Sequence, residues 1–348
     1  CGMACQALFI FIEVSFFGGF AEGILEELDS FAQECSDRGY AYCAAAAMAR
    51  GVALQLVFVV VYVLFLVAMK RLLLPKLLPG RYPLYGSVYI RYWMFTHFGH
   101  IPHLIQGTEF AHAAMRLLGA TVGRDVYMAT TEWAIGAEHL VSVGDGAAIN
   151  HVDGVFPVHF EGREMVVGPI TIGANATLEH CAHLAPGSRV GQGCYVEAWS
   201  IVLPDLDTGS HGLVRGNPAV VAGEAPPAPA PAEAPWPTMA YAVPLVFARA
   251  VTISADVVGH LGCVCAAAAV VSAAKGRPFS LTDVPSLIIT DTTLQICLPI
   301  IVLLHFLLVA VVLALLFRAS FAACVRFGHR SYRGLTSLVV EWQGNFLT

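Results

Sequence analysis

Charge is what this sequence has least of. Only 13% of its 348 residues are Asp, Glu, Lys or Arg, against 57% hydrophobic, whereas a soluble domain carries about 25% charged residues. That excludes a soluble enzyme spread over the whole chain. Basic excess is missing as well. The formal net charge is −6, and no basic stretch is interleaved with aromatics, so nucleic acid is not an expected partner. Paired cysteine motifs are absent. The ten cysteines, at 1, 5, 35, 43, 181, 194, 263, 265, 297 and 324, form no CxxC, so spacing supports neither a zinc site nor a disulfide framework. In apolar surroundings they read as buried free thiols. The start lacks the basic region and cleavage pattern of a secretory leader. The chain opens on Cys1, as a piece of a longer protein would.

The charge deficit is uneven, and that divides the chain. Residues 1–106 hold N-terminal membrane segments and a basic-aromatic connector. Residues 107–223 have an ordinary, glycine-rich composition. Residues 224–239 contain PPAPAPAEAPWP, a stiff polyproline spacer. Residues 240–318 hold C-terminal membrane segments, and 319–348 form a tail that reads as the start of a second repeat. A bilayer span needs about 20 apolar residues. GVALQLVFVVVYVLFLVAM at 51–69 and LQICLPIIVLLHFLLVAVVLALLF at 294–317 meet that without a charge. Residues 241–274 read as one long helix or two short ones. Residues 7–20 read as a span or an interfacial segment. Basic residues crowd the stretches after 69 and after 317, which places both on the cytoplasmic side of a multi-pass protein. The segment YPLYGSVYIRYW at 82–93 suits a headgroup-level amphipathic element or a connector packed on the central domain.

The central domain carries a repeat. Ile172, Leu178, Leu184, Val190, Val196 and Val202 recur every six residues. Upstream, VGRDVY starts at Val122 and VGDGAA at Val143, and the gap between them is not a multiple of six, so an excursion interrupts the first coil. Three short strands and three tight turns make a triangular coil of eighteen residues. The aliphatic opening each unit points inward, and Gly, Asn and Asp serve the corners. Each coil buries its apolar face only by stacking on its neighbours. The expected fold is therefore an all-β left-handed parallel β-helix flanked by transmembrane α-helices. Gly216-Asn217-Pro218-Ala219 marks the exit from the last coil.

The repeat is similar to that of hexapeptide acyltransferases. More closely, the chain resembles the membrane-embedded C-terminal region of poly-lysine synthetase and related nonribosomal-peptide-synthetase-like proteins. The resemblance rests on KRLLLPKLLPGRYPLYGSVYIRYW (70–93), GTEFAHAAMRLLGATVGRDVYM (107–128), VHFEGREM (158–165), VEAWSIVLPDLDTGS (196–210) and GNPAVV (216–221). It departs from the family's pattern at Val158, where relatives have Thr, and at Gly162, where they have Asp. The resemblance implies acyl or aminoacyl transfer from acyl-CoA or a phosphopantetheine-bound thioester. It also implies a carrier domain as partner, and either a homotrimer or a second β-helix within one chain.

His159 is the candidate catalytic base, because a histidine can take a proton from an attacking amine or hydroxyl. Glu161, two residues on, can orient its imidazole, as an acid does in other acyl transferases. Arg163 is the candidate to hold an anionic donor, with Asn150 contributing hydrogen bonds. The bland alternative is an ion pair between Glu161 and Arg163 that pins an excursion loop. No metal is expected. A weaker reading is a γ-type carbonic anhydrase, which would need His180 and His183, placed at corners, to converge with His151. A further alternative is a noncatalytic membrane scaffold or export module of a larger synthetase.

Overall fold

The computed structural model describes residues 40–74, 77–129, 135–150, 154–204, 206–227, 237–276 and, in part, 288–315. Two compact units emerge. One is built on Val59–Pro244; the other takes in the described parts of Ile10–Phe58 and Leu245–Phe327. The candidate segment at 7–20, most of the Pro-rich spacer and the tail lie outside the described residues. So does part of the segment at 294–317.

The first unit holds a left-handed β-solenoid. Its strands are β2 (Thr121–Val122), β3 (Tyr127–Met128), β4 (Val141–Val143), β5 (Ala148–Ile149), β6 (Gly154–Val155) and β9 (Ile170–Ile172). The series continues with β10 (Thr177–Leu178), β11 (His183–Leu184), β12 (Arg189–Val190), β13 (Tyr195–Val196), β14 (Ile201–Val202) and β15 (Gly212–Gly216). Three parallel faces result: β2-β4-β9-β12, β3-β5-β10-β13-β15 and β6-β11-β14. Ile172 pairs with Val190, Leu178 with Val196 and Leu184 with Val202, each eighteen residues apart. All six hexapeptide aliphatics are at most 2% exposed. Two positions before each of the last five stands a small buried residue: Ala176, Ala182, Ser188, Cys194 and Ser200. A large and a small side chain thus alternate to fill the narrow triangle, and each buried aliphatic contributes about 1.5–3 kcal/mol.

The repeat's glycines and polar residues divide the work. Asp125, Asn175 and Gly193 occupy left-handed corners at φ 54°, 55° and 65°, which Gly, Asn and Asp tolerate best. Gly123, Gly144, Gly173 and Gly191 instead stack where coils touch backbone to backbone. A Cβ on Gly173 would fall 2.5 Å from the Gln192 nitrogen, and one on Gly191 only 1.6 Å from the Gly209 oxygen. Close approach, not turn geometry, selects glycine in that column.

The repeat breaks twice, where the register gap widens. Val122 pairs with Val143, 21 residues on, so the first coil holds three residues more than the regular eighteen. Val143 pairs with Ile172, 29 residues on, because a hairpin is inserted at a corner. That hairpin is β7 (Val158–Glu161) and β8 (Glu164–Val167). Strand β1 (Gly80–Pro83), from the connector, adds antiparallel to β8. The result is a three-stranded arm standing off the solenoid. The exit is also a hairpin, β15 against β16 (Ala219–Glu224).

The long helices are α1 (Tyr40–Leu73) and α4 (Thr238–Ala274). Both are long and apolar enough to cross a bilayer. The stretch 241–274 therefore belongs to one helix, with Pro244 inside it past the first turn, where its missing N–H leaves the Ala240 carbonyl without its helical partner. In the second unit α1 and α4 pack closely. The Gln55 amide donates to the Ala250 carbonyl at 3.2 Å and to Ser254 Oγ at 2.8 Å, beside Gly51. Small and hydrogen-bonding residues of this kind join helices in lipid.

Candidate functional site

Alternation along the arm sorts its side chains into two faces. In β7 and β8, Val158, Phe160, Met165 and Val167 fall on one face, and His159, Glu161, Glu164 and Val166 on the other. The first face packs with Leu77 and Ala137 into a small core, against Tyr82, Tyr89 and Tyr92. Tyr89 belongs to α2 (Ser87–Thr96) and meets Phe160 edge-on at 6.1 Å. Of the two readings of residues 82–93, the packed connector therefore describes β1 and the first half of α2. The second face carries the polar cluster.

His159 Nε2 lies 2.9 Å from Glu161 Oε1. The other Glu161 oxygen accepts from Arg81 Nη2, and Arg81 Nε donates to Glu164 Oε2 at 2.9 Å. One residue from each strand is thereby tied into a single line of charge. The hydrogen bond from His159, and then the Arg81 charge, hold the Glu161 carboxyl below the usual carboxylate range. An ionised carboxylate only accepts, so Nε2 is the donor nitrogen, and in the neutral imidazole the lone pair falls on Nδ1. That leaves a basic nitrogen directed by its partner, the arrangement that a general base needs. His159 is about one-third exposed. His183, on β11 rather than at a corner as its spacing suggested, lies beside Phe156 with ring centroids 5.6 Å apart. Burial, and then the neighbouring His159, push its imidazole below the ordinary range.

Arg163 follows Gly162 in the two-residue turn of the arm. Gly162 has φ +57° and open space around it, so the turn requires glycine or a residue that tolerates the left-handed region. The Arg163 carbonyl accepts from Leu84 N–H at 2.9 Å. Its exposed guanidinium makes no ion pair among the described residues. Glu161 is paired with Arg81, so the ion pair weighed between Glu161 and Arg163 does not form. Asn150 lies at the end of β5, where its backbone N–H donates to Leu178 at 3.1 Å. The structure shows no bond between it and the His159 cluster. His180 is an exposed corner residue. Among the described residues no three His, Cys, Asp or Glu side chains converge as a metal would require. His151 lies outside them.

Sequence reasoning missed Arg81 and a second ion pair. Arg81 read only as one of several basic residues after the span, because antiparallel pairing with β8 is not local. Lys70 reads as a charge marking the end of a span. It is instead buried, bonded to Glu138 and, at 2.5 Å, to the Leu118 carbonyl. Glu138 also accepts the Gly136 N–H at 3.0 Å. Burial, and then the Glu138 charge, push the Tyr92 phenol well above its ordinary range. The pair locks the end of α1 to the first-coil excursion.

No known family profile matches the chain. It is similar to a delta-poly-L-ornithine synthetase. That protein, from Acinetobacter baumannii (strain AB307-0294), is 25% identical over 155 residues, which make up 44% of this chain and 12% of the relative. The chain thus spans a small part of that relative's length. Among solved structures, a maltose O-acetyltransferase from Clostridium difficile 630 aligns at a TM-score of 0.32 and 15% identity. The alignment covers 45% of this chain and 97% of that one.

Proposed function

We propose that the arm is the site of an acyl or aminoacyl transfer from a thioester donor to an amine or hydroxyl, on the cytoplasmic side of a membrane. The observation that carries this reading is the His159–Glu161 pair, oriented by Arg81 on a rigid three-stranded scaffold. Nδ1 of His159 takes the proton of the attacking amine or hydroxyl as the new C–N or C–O bond forms. The C–S bond of the donor breaks, and the thiolate recovers the proton from the imidazolium. Ionised Glu161 stabilises that imidazolium. The exposed guanidinium of Arg163 at the turn tip suits the phosphate of acyl-CoA or of a carrier's phosphopantetheine, with Asn150 as a further polar contact. The similarity to a poly-ornithine synthetase directs the choice of acceptor toward an amine.

A noncatalytic scaffold or export module of a larger synthetase is the second reading. The observation that favours it is that Arg81, Glu161 and Glu164 also tie the arm's strands together, which is a structural role in its own right. One experiment separates the two. The full chain in lipid nanodiscs is given an acyl-CoA or a loaded carrier, with an amine acceptor, and compared with His159→Ala. A catalytic role predicts a rate loss of about 10²–10⁴-fold. Equal rates refute it and leave the scaffold.

A further inference from the structure

The charge-free run of α1 fixes its depth in a bilayer. Residues 51–69 carry no charge, with Arg50 before them and Lys70 after. At 1.5 Å per residue these 19 residues span about 28 Å, close to the roughly 30 Å hydrocarbon core. Sliding the helix outward to put Tyr62 at the boundary would set Arg50 near the bilayer centre, at a cost of about 2.5–3.5 kcal/mol or more. The boundary therefore lies near Lys70.

The chain beyond α2 reaches back past that boundary. Tyr62 donates its hydroxyl to the Phe98 carbonyl at 2.9 Å, and Phe65 meets Phe98 edge-on at 5.7 Å. Tyr62 and Phe65 stand eight and five residues before Lys70, roughly 12 and 8 Å inside the boundary at helical rise. The middle of α2, at Tyr92, lies near Leu74, since a Cβ on Gly136 would touch both Tyr92 and Leu74. Segment 92–98 thus climbs alongside α1 from the interface into the leaflet. A turn at that depth must satisfy its backbone internally, and the Tyr62 hydroxyl does this for Phe98.

We propose that residues 93–98, the end of α2 and the turn after it, insert into the bilayer leaflet on the Lys70 side, with Trp93 at headgroup level. The occupant of this surface is lipid. The inference rests on the spanning part of the reading above and is independent of the chemistry at His159.

The test uses the full chain in phosphatidylcholine vesicles, with Trp133, Trp199, Trp236 and Trp342 changed to Phe so that Trp93 alone emits. Lipids brominated at shallow or deep acyl positions quench it. The expected result is strong quenching by the shallow bromines, weak quenching by the deep ones, and protection from aqueous iodide. A companion protein with Trp93→Phe and Val60→Trp reports on α1, where Val60 is 61% exposed. Lipid quenching at position 60 with only iodide quenching at 93 overturns the insertion and leaves the span intact. Iodide quenching at both overturns the span as well.

Discussion

Replacing Glu138 with Ala tests how the solenoid is fastened to its membrane helix. Lys70 and Glu138 are 8% and 2% exposed as side chains, so neither charge is relieved by water. Removing one partner of a buried pair costs roughly 3–5 kcal/mol. The upper end is capped, because an ordinary lysine sheds its proton at pH 7 for about 4–5 kcal/mol. In a domain of this size each kcal/mol moves the melting temperature by about 2–4 °C, so a fall of roughly 6–20 °C is expected. The assay is a thermal melt of the detergent-solubilised chain followed by tryptophan emission. Lys70→Met should fall by a similar amount. The double variant Lys70→Met with Glu138→Leu should recover much of the loss, since an apolar replacement of both charges removes the desolvation cost. A melting temperature within about 2 °C of wild type in both single variants would refute the reasoning. So would a double variant equal to the sum of the singles, because coupled residues do not add.

Further predictions concern acid, corners and the arm. Glu109, on α3 (Glu109–Leu117), is held at about 2, first by its hydrogen bond from His112 and then by Arg116. A depressed carboxylate stabilises above its ordinary pKa, and that contribution is lost as pH falls from about 4.5 toward 2. It is worth roughly 3 kcal/mol. Glu109→Gln should therefore melt lower than wild type at pH 7 and converge with it near pH 2; a constant gap between the two contradicts this. Gly191→Ala should cost about 1–3 kcal/mol or more through overpacking, and Gly162→Asn less than about 1 kcal/mol, as read from melts of each. Equal losses would undo the distinction between close approach and left-handed turn. Arg81→Gln should raise the Glu161 pKa toward the ordinary carboxylate range, visible in a ¹³C-carboxyl NMR titration, and lower kcat about tenfold with KM unchanged. An unmoved Glu161 titration removes Arg81 from the cluster.

The solenoid was legible because its rule is short and local. A hexad that buries Ile172, Leu178 and Leu184 at one depth states its own register, and the widened gap between Val122 and Val143 announced the first excursion. The sequence pointed to Glu161 as the partner of His159 but set both on a loop leaving the coil; they lie instead on strand β7, where residues two apart share a face. Arg81 was not legible. Its place depends on β1 pairing with β8, Arg81 opposite Val166, 85 residues on, and no local pattern encodes that. Lys70 misled, because a lysine after an apolar run reads as a solvent-exposed marker until Glu138 is seen beside it. His183 misled because alternation with apolar residues fits a short strand as well as a corner. The strand-pairing partners of this arm are set by packing on Leu77, Ala137 and Tyr89, which come from three separate stretches.

His159 is proposed to act as a base in acyl transfer on the arm. The most direct test is single-turnover transfer from a loaded thioester donor to an amine, measured on wild type and His159→Ala in nanodiscs with matched melting temperatures. The expected result is a loss of at least about 100-fold, partly restored by added imidazole and accompanied by unchanged donor binding. Equal rates, or a loss that imidazole leaves untouched and that tracks weakened donor binding, would contradict it.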